Sequence, residues 1–213
     1  MKCKLIWGGT LTWLWLLGVL PMAAPLYAAT TITVTTTDDA LINDALCSLR
    51  EAVIAANTDS PVGGCAAGSG EDTIVFDPAL PKPAVFTLNQ VGSDEDSAQT
   101  GDLDLAGTIT INPTGSDPGA LIIDGAGTDR VFEILSGAHV TVAGLTIRNG
   151  NPGDGANGGG VLIDLTARLT LTDTQVISNC APTGGGGIHV LGGLTMSQGT
   201  VAGNQGGGIS NLS

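Results

Sequence analysis

The sequence predicts an all-β fold, a parallel β-helix (solenoid) with a short capping α-helix near its N-terminus. Two observations predict this fold. Short apolar segments between residues 140 and 209 recur with matched internal spacing, and each unit continues into a glycine run. Ahead of them, residues 47–53 carry the pattern of a short capped helix. A solenoid exposes sheet edges at its ends, and an amphipathic helix is a suitable cover for one of them.

The repeat is defined by three aligned units. Each unit begins with an apolar-threonine-apolar triplet, and the triplets start 29 and then 25 residues apart at Val140, Leu169 and Leu194. Seven positions after each start lies an aliphatic residue, namely Ile147, Val176 and Val201. The glycine runs that follow end in Val161, Ile188 and Ile209. Three copies with matched spacing indicate a repeat architecture.

The period favours strands over helices. At about 3.3 Å per residue, a unit of roughly 21 to 29 residues holds two or three short strands with tight turns. Helical repeats need long apolar faces that the glycine content forbids. Asparagine and glycine close each unit, at Asn149, Asn179 and Asn204, and we expect them at corners with left-handed backbone.

The elements before the repeats follow from local patterns. Residues 30–37 alternate threonine with Ile32 and Val34, which predicts a strand. Ser48 and Glu51 have the spacing of a capping box at the start of a helix that ends near Asn57. Residues 72–76 predict a second strand, and residues 93–102 an acidic loop. The predicted organisation is therefore residues 30–100 as strand, capping helix and irregular first coil, and residues 101–213 as β-helix coils truncated at the C-terminal end.

The first residues predict export. Lys2 and Lys4 precede an uncharged apolar run from residue 5 to residue 20, and small residues follow up to Ala29. This is the pattern of a secretory signal peptide over residues 1–29. The run is shorter than the roughly 20 residues of a spanning helix, although an uncleaved anchor is the alternative. We therefore expect a secreted or cell-surface protein with no transmembrane segment in its mature chain.

Charge and composition limit the partners. Without Lys2 and Lys4, five basic residues face 20 acidic ones, a net charge of −15. Such a chain repels nucleic acid and anionic lipid, so we expect no nucleic-acid partner. This net negative charge is compatible with bound cations, and equally with an extracellular surface that is only solvated. Aromatic residues make up 3% of the chain, so no aromatic platform for sugar rings is expected.

Three cysteines remain after the signal peptide. Cys47 and Cys65 bracket the helix and the turn after it, and we expect a disulfide between them in an exported protein. Cys180 is the odd one, and we expect a small buried packing residue there, with a free thiol as the alternative.

Acidic residues supply the metal candidates. They cluster in the loop and strand that begin the coils, as Asp94, Glu95, Asp96, Asp102 and Asp104. Asp102 and Asp104 alternate with leucines, so both can face outward from one strand. Carboxylate oxygens are ligands that Ca²⁺ prefers, which makes these two residues a candidate calcium site. A solvated loop and strand edge is the alternative, and no other cofactor is expected.

No catalytic residue is assigned. Arg148 is either a base or substrate clamp, or a residue whose aliphatic stem covers a corner of the coil. Arg50 is expected to be a charge on the exposed face of the helix, and Asp124 and Asp129 to be turn residues. His189 alternates with Ile188 and Val190, so we expect it to point to solvent, as a surface residue.

One family resemblance covers residues 31–211. Residues 47–52, Cys-Ser-Leu-Arg-Glu-Ala, match the signature of the CSLREA-type N-terminal domain. The likeness continues through Gly70-Glu-Asp-Thr-Ile74, Gly101-Asp-Leu-Asp-Leu105, Ile123-Asp-Gly125 and Gly144-Leu-Thr-Ile-Arg-Asn-Gly150. The family is similar to exported bacterial surface proteins with right-handed β-helices, whose coils resemble polymorphic outer-membrane proteins and pectate-lyase-like folds. The resemblance implies architecture and location, and no reaction.

The function expected from these features is adhesion or display by an exported, non-catalytic β-helix. Its partner would be an extracellular carbohydrate or another cell-surface component, contacted through turn loops such as residues 150–158 and 182–184. Two alternatives stay open: a calcium-assisted polysaccharide lyase or glycosidase, and an N-terminal fragment of a larger surface protein. An open last coil also predicts edge pairing or self-association.

Overall fold

The structure, a computed structural model, describes residues 29–93, 95–112 and 117–212. Outside the described residues lie residues 1–28 of the predicted signal peptide and Asp94 of the acidic loop. Among the residues described, no helix has both the length and the apolar character needed to cross a membrane.

The described chain contains one helix and sixteen short strands. The helix, α1, spans Leu49–Thr58, and the strands are β1 Thr30–Val34, β2 Glu71–Phe76, β3 Ala84–Thr87, β4 Leu103–Leu105, β5 Thr108–Ile111, β6 Leu121–Asp124, β7 Phe132–Ile134, β8 His139–Ala143, β9 Thr146–Arg148, β10 Val161–Ile163, β11 Arg168–Thr172, β12 Gln175–Ile177, β13 Ile188–Val190, β14 Gly193–Ser197, β15 Thr200–Ala202 and β16 Ile209–Asn211.

The strands form three parallel sheets. Sheet 1 has the order β1-β2-β5-β8-β11-β14, sheet 2 the order β3-β6-β9-β12-β15, and sheet 3 the order β4-β7-β10-β13-β16. From β4 onward, consecutive strands enter sheets 3, 1 and 2 in the same rotation. Each strand from β2 to β13 therefore pairs with the strand three strands later in the chain, while β1 pairs with β2. This arrangement is consistent with an all-β parallel solenoid.

The strand register confirms the repeat alignment. Val140 pairs with Leu169, which pairs with Leu194 in sheet 1. The same holds for Ile147, Val176 and Val201 in sheet 2 and for Val161, Ile188 and Ile209 in sheet 3. Until the last coil, where Val201 is half-buried and Ile209 exposed, these residues are buried, so apolar rows from the three sheets make one core. Equivalent residues of successive units thus stack directly on one another.

The helix is fixed at its start by the predicted capping box. The Glu51 N–H donates to Ser48 Oγ at 3.1 Å, and the Ser48 N–H donates to Glu51 Oε2 at 3.0 Å. The disulfide between Cys47 and Cys65 is present, with Cα atoms 4.7 Å apart. These constraints hold both ends of the segment that contains α1.

The helix lies against edge strands. It contacts β1, which is the edge of sheet 1, and β4, which is the edge of sheet 3. Asn57 bonds the free edge of β4 as a neighbouring strand would. Its Nδ2 donates to the Asp104 carbonyl at 2.7 Å, and its Oδ1 accepts from the Ala106 N–H at 2.9 Å. The helix therefore covers an edge that would otherwise expose unpaired backbone groups.

The expected role of asparagine at the corners needs correction. Asn149 has a left-handed backbone (φ 55°), but the left-handed positions of the next two units are Ser178 and Gly203. Asn179 acts instead through its buried side chain, which accepts from the Gly150 N–H at 2.8 Å and donates to the Ile147 carbonyl at 3.2 Å. Asn204 repeats the pattern one unit later, accepting from Asn179 and donating to Val176. A side-chain ladder satisfies corner backbone groups that have no strand partner.

Candidate functional site

Three carboxylates meet at the start of sheet 3, and we call Asp102, Asp104 and Glu133 the acidic cluster. Asp102 precedes β4, Asp104 is its central residue, and Glu133 is its register partner in β7. One oxygen from each residue lies within 4.8 Å of the others. Asp102 is 4% exposed and Asp104 is 0% exposed, so neither is the solvated strand-edge residue of the alternative expectation.

Arg130 is the cation of the acidic cluster. Its Nη1 lies 3.2 Å from Asp102 Oδ2 and also forms an ion pair with Glu133 Oε2. Two buried atoms at this site have no hydrogen-bond partner, Arg130 Nε and Asp104 Oδ1. The other oxygen of Asp104 accepts from the Ala98 N–H at 2.8 Å. The arginine therefore neutralises part of the cluster and leaves one carboxylate oxygen of Asp104 unsatisfied.

Arg50 holds residues 98–102, which adjoin the acidic cluster. The expectation that it lies on an exposed helix face is wrong. The residue is 0% exposed. Its Nε forms an ion pair with Asp39 at 2.7 Å, and its guanidinium donates to three carbonyls at 2.8–3.0 Å, those of Ala98, Gly101 and Asp102. A buried guanidinium is tolerated because its donors are paired in this way. Arg50 is thus a structural clamp between α1 and residues 98–102.

Burial dominates the protonation of the acidic cluster. It raises the pKa of Asp102 to about 8, against the attraction of Arg130 and with added repulsion from Asp104 and other carboxylates. Burial likewise raises the pKa of Asp104 to about 7 and raises that of Glu133. For Arg130, burial opposes the charged form, but the neighbouring carboxylates outweigh it and raise its pKa. The guanidinium of Arg130 therefore stays protonated. Any positive charge added nearby would favour the ionised form of the three carboxylates.

A second feature is a row of six threonines across sheet 1. Pairwise register joins neighbouring threonines in all six strands, and this threonine row consists of Thr31, Thr73, Thr110, Thr141, Thr170 and Thr195. Their neighbours in each strand, such as Val140 and Val142, point into the core, so the threonines face outward. Thr31 and Thr195 are exposed and the other four are half-buried. The threonine row therefore presents a continuous line of hydroxyl and methyl groups along the outer face of sheet 1.

The predicted contact loops stack on each other. The Gly158 N–H donates to the Gly184 carbonyl at 3.3 Å. The hydroxyl of Thr183 donates to the carbonyl of Ala156 at 2.6 Å and contacts Asn157 Oδ1 at 2.8 Å. Residues 150–158 and 182–184 thus form a joined surface along one edge of the molecule.

Other sequence candidates have structural partners. Arg148 Nε pairs with Asp124 Oδ2 at 2.8 Å, while Asp124 Oδ1 accepts from the Ala126 N–H as its turn role requires.

His189 is 4% exposed and bonds Ser210 Oγ at 2.6 Å, so the expectation that it points to solvent is wrong. Residues of the neighbouring coil cover its strand face. Cys180 is a free, half-buried cysteine.

Sequence reasoning missed Glu133 as a member of the acidic cluster, and it missed the threonine row. Both had a signal. Residues 103–105 and 132–134 are apolar-acid-apolar triplets 29 residues apart, which is the step of the repeat. The threonine that centres each aligned triplet also recurs at residue 110, between two isoleucines, and at residue 73, directly before Ile74. Extending the alignment toward the N-terminus would have placed both sets in single rows.

Comparison of the chain with family models, curated proteins and solved structures gives no match.

Proposed function

We propose that the chain is an exported, non-catalytic, right-handed parallel β-helix that serves adhesion or display at a bacterial cell surface. The rotation of strands through three parallel sheets supports the β-helix, and the CSLREA-type signature supports its right hand. Export is supported by the pattern of residues 1–29 and by the Cys47–Cys65 disulfide, which is typical of oxidising compartments.

The observation that carries the adhesive function is the threonine row. A rigid sheet holds its six hydroxyls at the spacing of neighbouring strands, about 4.8 Å. Each hydroxyl both donates and accepts hydrogen bonds, which suits the hydroxyls of an extracellular polysaccharide. The side chains are already ordered by the sheet, so little conformational entropy is lost when a partner binds. Carbohydrate recognition by hydrogen bonding is also consistent with the low aromatic content.

The experiment is a binding measurement on the mature chain with a panel of extracellular polysaccharides. Thr141→Val combined with Thr170→Val removes two hydroxyls at the centre of the row and keeps the β-branched shape. We expect binding to fall about tenfold, because each lost hydrogen bond is worth about 0.5–1.5 kcal/mol. Thr200→Val, on an exposed residue of β15, is the matched control and should bind as the unchanged chain does. Equal binding by the double variant, or binding to none of the polysaccharides, would contradict the proposal.

The acidic cluster favours one alternative, a calcium-assisted polysaccharide lyase. Such an enzyme needs an arginine or lysine that gives up its proton and then abstracts one from the substrate. Arg130 is poorly suited to that role, since Asp102 and Glu133 raise its pKa. Arg148 is held by Asp124. Adhesion or display by a non-catalytic scaffold therefore remains the better supported function.

A further inference from the structure

We propose that the acidic cluster binds one calcium ion, with Asp102, Asp104 and Glu133 as its protein ligands. The proposal is independent of the adhesive function, because a chain could bind calcium and yet recognise no polysaccharide.

The spacing of the oxygens fits such an ion. Calcium binds oxygen ligands at about 2.3–2.6 Å, so two ligands of one ion lie up to about 5 Å apart. One oxygen from each of the three carboxylates lies within 4.8 Å of the other two. An all-oxygen ligand set of this kind suits a hard cation and has none of the nitrogen or sulfur donors that zinc or copper select. Water would complete the coordination.

The charge balance also fits a divalent cation. When all three carboxylates are ionised, as metal ligation requires, they face one guanidinium, that of Arg130, and the cluster then carries two uncompensated negative charges. Burying unpaired charge is costly. A divalent cation cancels this excess without displacing the arginine.

A second observation, separate from the spacing of the oxygens, also points to a bound cation. One buried carboxylate oxygen of Asp104 has no hydrogen-bond partner. Asp104 is 0% exposed and belongs to the group whose oxygens converge, yet its Oδ1 has no hydrogen-bond partner. A buried acceptor left without a partner costs about 1–3 kcal/mol, and more when it is charged. The Ala98 N–H binds only the other oxygen. A cation bound through Asp104 Oδ1 would satisfy the acceptor that the protein itself leaves unpaired.

The bound ion would join two parts of the fold. Asp104 contacts the loop through Ala98, and Arg50 holds the same loop through the carbonyl of Asp102. Glu133 lies in the next coil. Calcium would therefore stabilise the folded chain, by an amount that rises with the logarithm of the calcium concentration once that concentration exceeds the Kd.

The test is calorimetric titration of the metal-stripped mature chain with calcium chloride, together with thermal unfolding with and without calcium. We expect one ion bound per chain and a higher Tm in calcium. Asp104→Asn removes one ligand charge and should weaken binding about tenfold or more. Asp154→Asn, an exposed residue outside the cluster, is the control for net charge and should bind calcium unchanged.

Three results would overturn the proposal. The first is the absence of both binding heat and a Tm shift in the unchanged chain. The second is unchanged affinity in Asp104→Asn. The third is magnesium binding as tight as calcium binding, since the smaller ion demands stricter octahedral geometry. Should Asp104→Asn fail to fold, Glu133→Gln replaces it, because Glu133 is a half-buried ligand, and the same tenfold loss is expected.

Discussion

At the scale of single residues, the most unusual group is the carboxylate of Asp102. It is 4% exposed and its folded-state pKa is raised to about 8. The unfolded chain loses this proton near its ordinary value of 3.8. Between these two values the folded state binds more protons than the unfolded state, so the free energy of unfolding falls as the pH rises.

A pH series in a metal chelator tests this linkage. The stability that comes from Asp102 is fully present below pH 3.8 and is lost as the pH rises through about 8. Asp102→Asn mimics the protonated form, so the variant should gain stability relative to the unchanged chain as the pH rises, by up to about 1.4 kcal/mol per pH unit. Chemical denaturation of both chains at several pH values measures it. A stability difference that does not change with pH, or that shrinks, is the contrary outcome.

At the scale of elements, α1 depends on one buried arginine. Arg50 ties the helix to Asp39 and to three carbonyls of residues 98–102. Removing one partner of a buried ion pair leaves the other charge uncompensated. The helix and the loop should therefore lose stability together.

Arg50→Met measures this dependence. The variant keeps the aliphatic part of the side chain but removes the charge and every donor, so we expect a loss of about 3–5 kcal/mol in the free energy of unfolding. Arg148→Met is the matched control, because the Arg148 side chain is 36% exposed and its pair with Asp124 should contribute no more than about 1 kcal/mol. Equal losses in the two variants would show that Arg50 is not the clamp described here.

The sequence was sufficient for elements that depend on short-range patterns. The triplets at Val140, Leu169 and Leu194 predicted the register because equivalent residues of a repeat stack. The capping box and the Cys47–Cys65 disulfide followed from spacing. Arg50 could not be placed this way, because its burial depends on carbonyls 48 to 52 residues away. For the calcium candidates, sequence reasoning named Asp102 and Asp104 but not Glu133, which joins them only through pairing between coils.

At the scale of the whole molecule, we propose that the stacked strands act as a rigid scaffold that presents binding surfaces. Stacked coils hold the threonine row on one face, and the helix covers the edge beside the acidic cluster. We propose a structural role for calcium in that cluster, because the neighbouring carboxylates raise the pKa of Arg130 and so disfavour the deprotonated form that the base of a lyase needs. A non-catalytic scaffold is therefore the function that we propose.

Incubation of the folded mature chain with a panel of polyuronates, with and without calcium, tests that claim most directly. The absorbance of unsaturated uronide products reports β-elimination, and the Tm of the same sample shows that the chain is folded. We predict no product in either condition, even where calcium raises the Tm. Product that forms only with calcium, and that is lost in Asp104→Asn, would contradict the proposed non-catalytic function and make the acidic cluster a catalytic centre.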